Sequence, residues 1–235
     1  MLNSEPGRPS GDVVTGRKGG VFMASTVHGK AAHSGANPAD GTSAIGELAH
    51  KTIALHAITD LERGTTVNVG LVSGGQSVNT VAPLATCAID LRYVRPEDRE
   101  AAMARIAAIV TEAMLPGTSA ALTIRGEFLP LQDAASRALF EAYAGASARY
   151  GATVSGAFTG GCADSDFTAS VGCPTHCAVG PVGGRAHSPE EYREVESLVP
   201  RARALAVTIM GVYRPRLSGR RSAGLDYPRS RWPRR

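Results

Sequence analysis

The stretch GPVGGRAHSPEEYREV (180–195) places one histidine, His187, between a glycine-rich loop and a cluster of acidic residues. An imidazole in such a place can ligate a metal, move a proton or cap a helix. Ser188 is a suitable N-cap, and Glu190 and Glu191 suit the first turn of a helix behind it. Gly183 and Gly184 would let the histidine point into a cleft with little crowding. Taken alone, His187 reads as a surface or capping residue. His33, in VHGKAAHSG (27–35), sits on the loop expected after a strand and has the same plain reading when taken alone. His28, at the end of that strand, reads as structural. TGGCADSDF (159–167) gathers Gly160, Gly161, Asp164 and Asp166, where exposed amides at a helix start could hold an anion or simply cap the helix. CPTHC (173–177) has no second ligand pair at zinc-finger spacing, and its residues read as buried strand positions.

These side chains need a scaffold, and composition bounds it. The chain has 235 residues, 43% hydrophobic and 20% charged, as expected of a water-soluble globular protein. No run approaches a membrane span, and the N-terminal residues lack signal-peptide features, so a cytoplasmic location is expected. Cys87, Cys162, Cys173 and Cys177 show no disulfide framework. The net charge of +4 is uneven: residues 213–235 hold eight Arg and one Asp, leaving the rest net negative. That argues against a specific nucleic-acid surface on the fold, and the tail reads as disordered.

The pattern along the chain predicts a strand over 20–27 and a helix capped by Thr42 or Ser43 and running to Ala57. The helix is expected to bury Ile45, Leu48, Ala49, Thr52, Ile53 and His56. Strands follow over 65–72 and 86–94, then a helix from Pro96 to about Met114 and a strand over 120–128. The order βαββαβ is that of ferredoxin-like folds. Beyond it a helix over 134–150, a short helix at Phe167, a strand over 175–179 and a helix over 190–212 suggest a small parallel sheet within a larger α/β domain.

GRKGG, VHGKAAHSG, GGQSVNTVAP, IDLRYVRPED, TGGCADSDF and GPVGGRAHSPEEY occur in one order over residues 4–212. Together they resemble the dinuclear-zinc metallopeptidase family of aminoacylase, acetylornithine deacetylase, succinyl-diaminopimelate desuccinylase and glutamate carboxypeptidase, nearest the glutamate carboxypeptidase branch. The resemblance implies an α/β fold in which a ferredoxin-like lid, usually a homodimerisation domain, interrupts a zinc-binding catalytic domain. It divides the chain into a catalytic-domain remnant (1–18), the lid (19–128), the C-terminal part of the catalytic domain (129–212) and the basic tail (213–235). It implies Glu5 and His187 as ligands of different zinc ions and His33 as the group that polarises the scissile carbonyl. Asn79, Arg92, Gly160 and Gly161 would hold a small peptide or N-acyl amino acid. The family's remaining ligands and its general-base glutamate lie N-terminal to the position of Glu5. The chain therefore reads as N-terminally truncated and, by itself, inactive. Cys162 and Ala163 also depart from the family's usual loop. The competing expectation is a non-catalytic paralogue that acts only as a dimerisation module.

Overall fold

The computed structural model describes residues 1–132 and 136–217. They divide into two compact units. The first comprises Met1, Val14–Ser136 and Ala157–Thr175, and the second Leu2–Val13, Arg137–Gly156 and the residues from His176 onward.

In the first unit β2 (Gly19–His28), α1 (Ala44–His56), β3 (Thr66–Gly74), β4 (Leu84–Tyr93), α2 (Pro96–Thr111) and β5 (Ser119–Phe128) follow the expected βαββαβ order. The strands form one antiparallel sheet in the order β3-β4-β2-β5. Alternate residues of β2 and β4 are buried, the period of a strand with one face on a core. Val21, Met23, Val27, Ile89, Leu91 and Tyr93 meet Leu48, Leu55, Ile106 and Val110 of the two helices there. Ser43 caps α1 by accepting from the Gly46 amide at 3.0 Å, and Pro96 begins α2. β1 (Val13–Arg17) pairs with β6 (Gly156–Thr159), and the six-residue α4 (Ser165–Ser170) follows.

The buried face of α1 differs from the expected one. Ile45 and Ile53 are exposed at 45% and 73%, whereas Glu47 and Lys51 are buried beside Leu48 and Leu55. An apolar count misreads this face because Glu47 and Lys51 form an i,i+4 ion pair at 2.7 Å and satisfy the end of α2. Lys51 donates to the carbonyls of Ile109 and Glu112, and Glu47 accepts from the amides of Met114 and Leu115. The bonds to Met114 and Leu115 hold a turn where the sequence predicts helix, and α2 stops at Thr111.

In the second unit α3 (Arg137–Ala148) packs against α5 (Val195–Leu217) around Val13, Tyr143, Ala146, Val154, Val179 and Ala204. Two expectations fail here. Residues 175–179 are buried but form no strand: His176 and Cys177 make isolated bridges, His176 a parallel one to Leu2, and Ala178 turns the chain at φ 62°. The last helix begins at Val195, not near Glu190. β7 (Gly183–Gly184) and β8 (Tyr192–Arg193) pair as a hairpin across the intervening turn. Ser188 bonds the Arg185 carbonyl within that turn and caps no helix. α5 runs to Leu217, into the segment read as tail, whose remaining residues 218–235 lie outside the described residues, as do 133–135. No helix among the described residues is long and apolar enough to cross a membrane.

Candidate functional site

The first unit carries His33, Asn79, Arg92, Gly160 and Gly161. The loop after β2 pairs with the chain before β4: His33 bridges Thr80, Ser34 donates its amide to the Asn79 carbonyl at 3.0 Å, and Val81 donates to Ala32 at 2.9 Å. His33 and Asn79 are thereby neighbours on an exposed edge. The Asn79 side chain accepts from Ser77 Oγ at 2.8 Å. The His33 ring receives the amides of Gly35 and Ala36 on Nδ1, at 3.2 and 3.1 Å.

Arg92 lies near the end of β4, where strand alternation puts Asp90 on its face. Its Nε donates to both Asp90 oxygens at 2.8 and 3.0 Å, its Nη1 lies 2.7 Å from Cys162 Sγ, and its Cζ stands 5.0 Å over the Phe22 ring. The approach needs Gly20: a Cβ there would sit 2.9 Å from Cys162 Sγ. Arg92 and the Gly160–Cys162 loop are thus brought together from positions far apart in sequence. The fork still has N–H donors to offer a carboxylate. Arg17, which is buried, donates from Nη1 to the Gly161 carbonyl at 2.8 Å.

Behind the loop Asp166 is fully buried and accepts the Ala163 amide at 3.1 Å. Burial pushes its carboxyl up to about 6, against that amide and the charges of Arg17 and Arg92. Burial also raises the Cys162 thiol, with Arg92 opposing. The Ala163 amide is thus taken by Asp166 of α4, while Asp164 at the helix N-cap makes no side-chain capping bond. Phe22 meets Phe128 edge-to-face with centroids 6.0 Å apart, and Phe128 meets Phe167 tilted at 4.7 Å. Sequence reasoning missed Arg17 and Asp90. The i,i+2 spacing of Asp90 and Arg92 could have revealed one of them.

The second unit carries Glu5 and His187. The Glu5 carbonyl accepts from Gly180 at 3.0 Å, and Gly7 bonds the Pro181 carbonyl at 2.8 Å, so the N-terminal segment runs beside the glycine-rich loop. Arg201, 7% exposed, ties the two by donating to the carbonyls of Gly11 and Ala178, each at 2.7 Å. His187 is exposed in a left-handed conformation at φ 65°, and its amide donates to Glu191 Oε2 at 3.1 Å. Both candidate ligands present exposed side chains of the right chemistry. Yet among the described residues no three His, Cys, Asp or Glu side chains gather as a metal site. Glu5 and His187 do not form one by themselves.

The family profile of the peptidase dimerisation domain matches residues 15–118. The chain is similar to one of the polypeptides of the p-aminobenzoyl-glutamate hydrolase of Escherichia coli, 41% identical over 92 residues, which are 37% of this chain and 21% of that protein. It is 27% identical to the Bacillus subtilis protein YqjE over 201 residues, 85% of this chain and 53% of that one. The crystal structure of aminopeptidase PepT from Bacillus cereus superposes with a TM-score of 0.71 at 25% identity, over 88% of this chain and 55% of that one. The chain thus spans about half the length, or less, of the relatives it matches.

Proposed function

We propose that this chain, which belongs to the family of peptidases and amidohydrolases that carry this dimerisation domain, is the lid and part of the catalytic domain of a metal-dependent hydrolase. The reaction is cleavage of the amide bond of a peptide or N-acyl amino acid, releasing an acidic amino acid in the manner of a glutamate carboxypeptidase. The observation that carries this reading is Arg92, held between Asp90 and Cys162 beside Gly160 and Gly161. A planar guanidinium so fixed suits the terminal carboxylate of the substrate. Asn79 adds an amide donor and acceptor, and His33 donates to the carbonyl oxygen as negative charge develops on it. Zinc is the expected metal, with Glu5 and His187 as the ligands supplied by these residues. Since no complete metal site gathers among the described residues, these residues alone are expected to be inactive.

The lid is proposed to join two copies. β3 is an edge strand exposing Leu71 and Val72 at 72% and 60%, and α1 exposes Ile45 and Ile53. The second reading, a dimerisation module without catalysis, rests on the lid having a core of its own.

Substrate recognition can be tested without metal. N-acetyl-glutamate titrated into the isotopically labelled chain is expected to shift the Arg92 side chain and the Gly160 and Gly161 amides. Its α-amide should leave them unmoved, and Arg92→Ala should abolish the response. Identical behaviour of the two ligands would overturn the assignment of Arg92, and no response to either would overturn the hydrolase reading for this site.

A further inference from the structure

The loop from His33 to Asp40 is closed by its own bonds. The Asn37 amide donates to the His33 carbonyl and the Asp40 amide to the Asn37 carbonyl, both at 3.1 Å. The Asn37 side chain works in both directions: Oδ1 accepts the His33 amide at 3.2 Å, and Nδ2 donates to Asp40 Oδ2 at 2.9 Å. Inside this turn the amides of Gly35 and Ala36 both point at His33 Nδ1. A neutral imidazole has one N–H and one bare nitrogen, and the hydrogen bonds around it decide which is which. Two N–H groups aimed at Nδ1 require its lone pair, so the proton resides on Nε2. The ring is exposed, and no hydrogen bond reaches Nε2 among the described residues.

We infer that the loop is a tautomer lock, which holds His33 as an outward Nε2–H hydrogen-bond donor, and that Asn37 is its positioning residue. A neutral donor fixed in advance suits a carbonyl oxygen that gains charge during reaction, because no proton need move between ring nitrogens first. The inference rests on the hydrolase reading only for what the donor serves. The tautomer itself stands on the loop geometry.

The test is long-range proton–nitrogen NMR on the chain labelled at histidine, near pH 8, where imidazoles are ordinarily neutral. The His33 signals among the six histidines are identified by their loss in His33→Gln. The expected pattern is a protonated Nε2 and a bare, pyridine-like Nδ1, with almost none of the second tautomer. Asn37→Ala should move the signals toward the mixture of free imidazole. Ala36→Pro, which deletes one of the two donors, should move them the same way. A free-imidazole mixture or an Nδ1 proton in the unsubstituted chain overturns the lock. An unchanged pattern in Asn37→Ala removes Asn37 from it. Neither readout involves substrate or metal, so failure here is distinct from failure of the hydrolase reading.

Discussion

Replacing Lys51 with Met should be among the most damaging single changes in the βαββαβ domain. Glu47 and Lys51 are 0% and 2% exposed and lie 2.7 Å apart. Lys51→Met keeps the aliphatic length but strands the Glu47 carboxylate in the core, with only the Met114 and Leu115 amides to hold it. It also leaves the Ile109 and Glu112 carbonyls without their ammonium donor. Breaking a buried pair from one side costs about 3–5 kcal/mol. Removing both charges, as Glu47→Leu with Lys51→Met, should cost less than the two single changes summed, because no charge is then stranded. Native-state hydrogen exchange at the Ile89 and Leu91 amides of β4 reads the opening free energy of this core directly. Burial alone would raise the Glu47 carboxyl, but the Lys51 ammonium and the amides of Leu115 and Met114 hold it below its ordinary value. The folded state therefore binds fewer protons than the unfolded state as pH falls, and the pair's stabilisation fades on acidification. The double variant should lose that acid dependence. A cost for Lys51→Met below about 1 kcal/mol, typical of a solvent-exposed pair, would refute the reasoning.

Asp166→Asn should stabilise the chain at neutral pH. The Asp166 carboxyl titrates near 6 when folded, against 3.8 as its ordinary value. The folded state thus holds the proton more tightly, and stability is lost as pH rises through this window. At pH 7 the substitution should recover up to about 3 kcal/mol, and at pH 4 almost none. Urea titrations at the two pH values check this, and an equal effect at both would count against it. Ile53→Asp combined with Leu71→Asp should turn a lid-joined dimer into a monomer at tens of micromolar chain, read by sedimentation velocity. A monomeric unsubstituted chain under the same conditions would contradict the proposed partner.

Much of the βαββαβ domain was legible because its signals are local. β4 alternates buried and half-buried residues from Ala85 on, Ser43 caps a helix, and Pro96 starts another. The face of α1 was not legible, since Glu47 and Lys51 enter the core only because α2 ends opposite them. Residues 175–179 look like a strand by composition, but Ala178 adopts a backbone conformation that no hydrophobic pattern announces. The start of α5 was misplaced for a similar reason. Glu191 looks like a first-turn acid, whereas it accepts the His187 amide inside the hairpin turn. For the proposed site, the family resemblance implied His33, Asn79 and Arg92 one by one. The contact between Arg92 and Cys162 joins residues separated by 70 positions and depends on Gly20, so only the folded chain reveals it.

The most direct test of the proposed function is the zinc-dependent release of glutamate from an N-acyl-glutamate by the 235-residue chain. With Glu5 and His187 as the proposed ligands and no metal cluster among the described residues, the chain is expected to give no turnover above buffer, with or without added zinc. Zinc-dependent turnover that disappears in His187→Ala would contradict the account, because the described residues would then hold a complete metal centre.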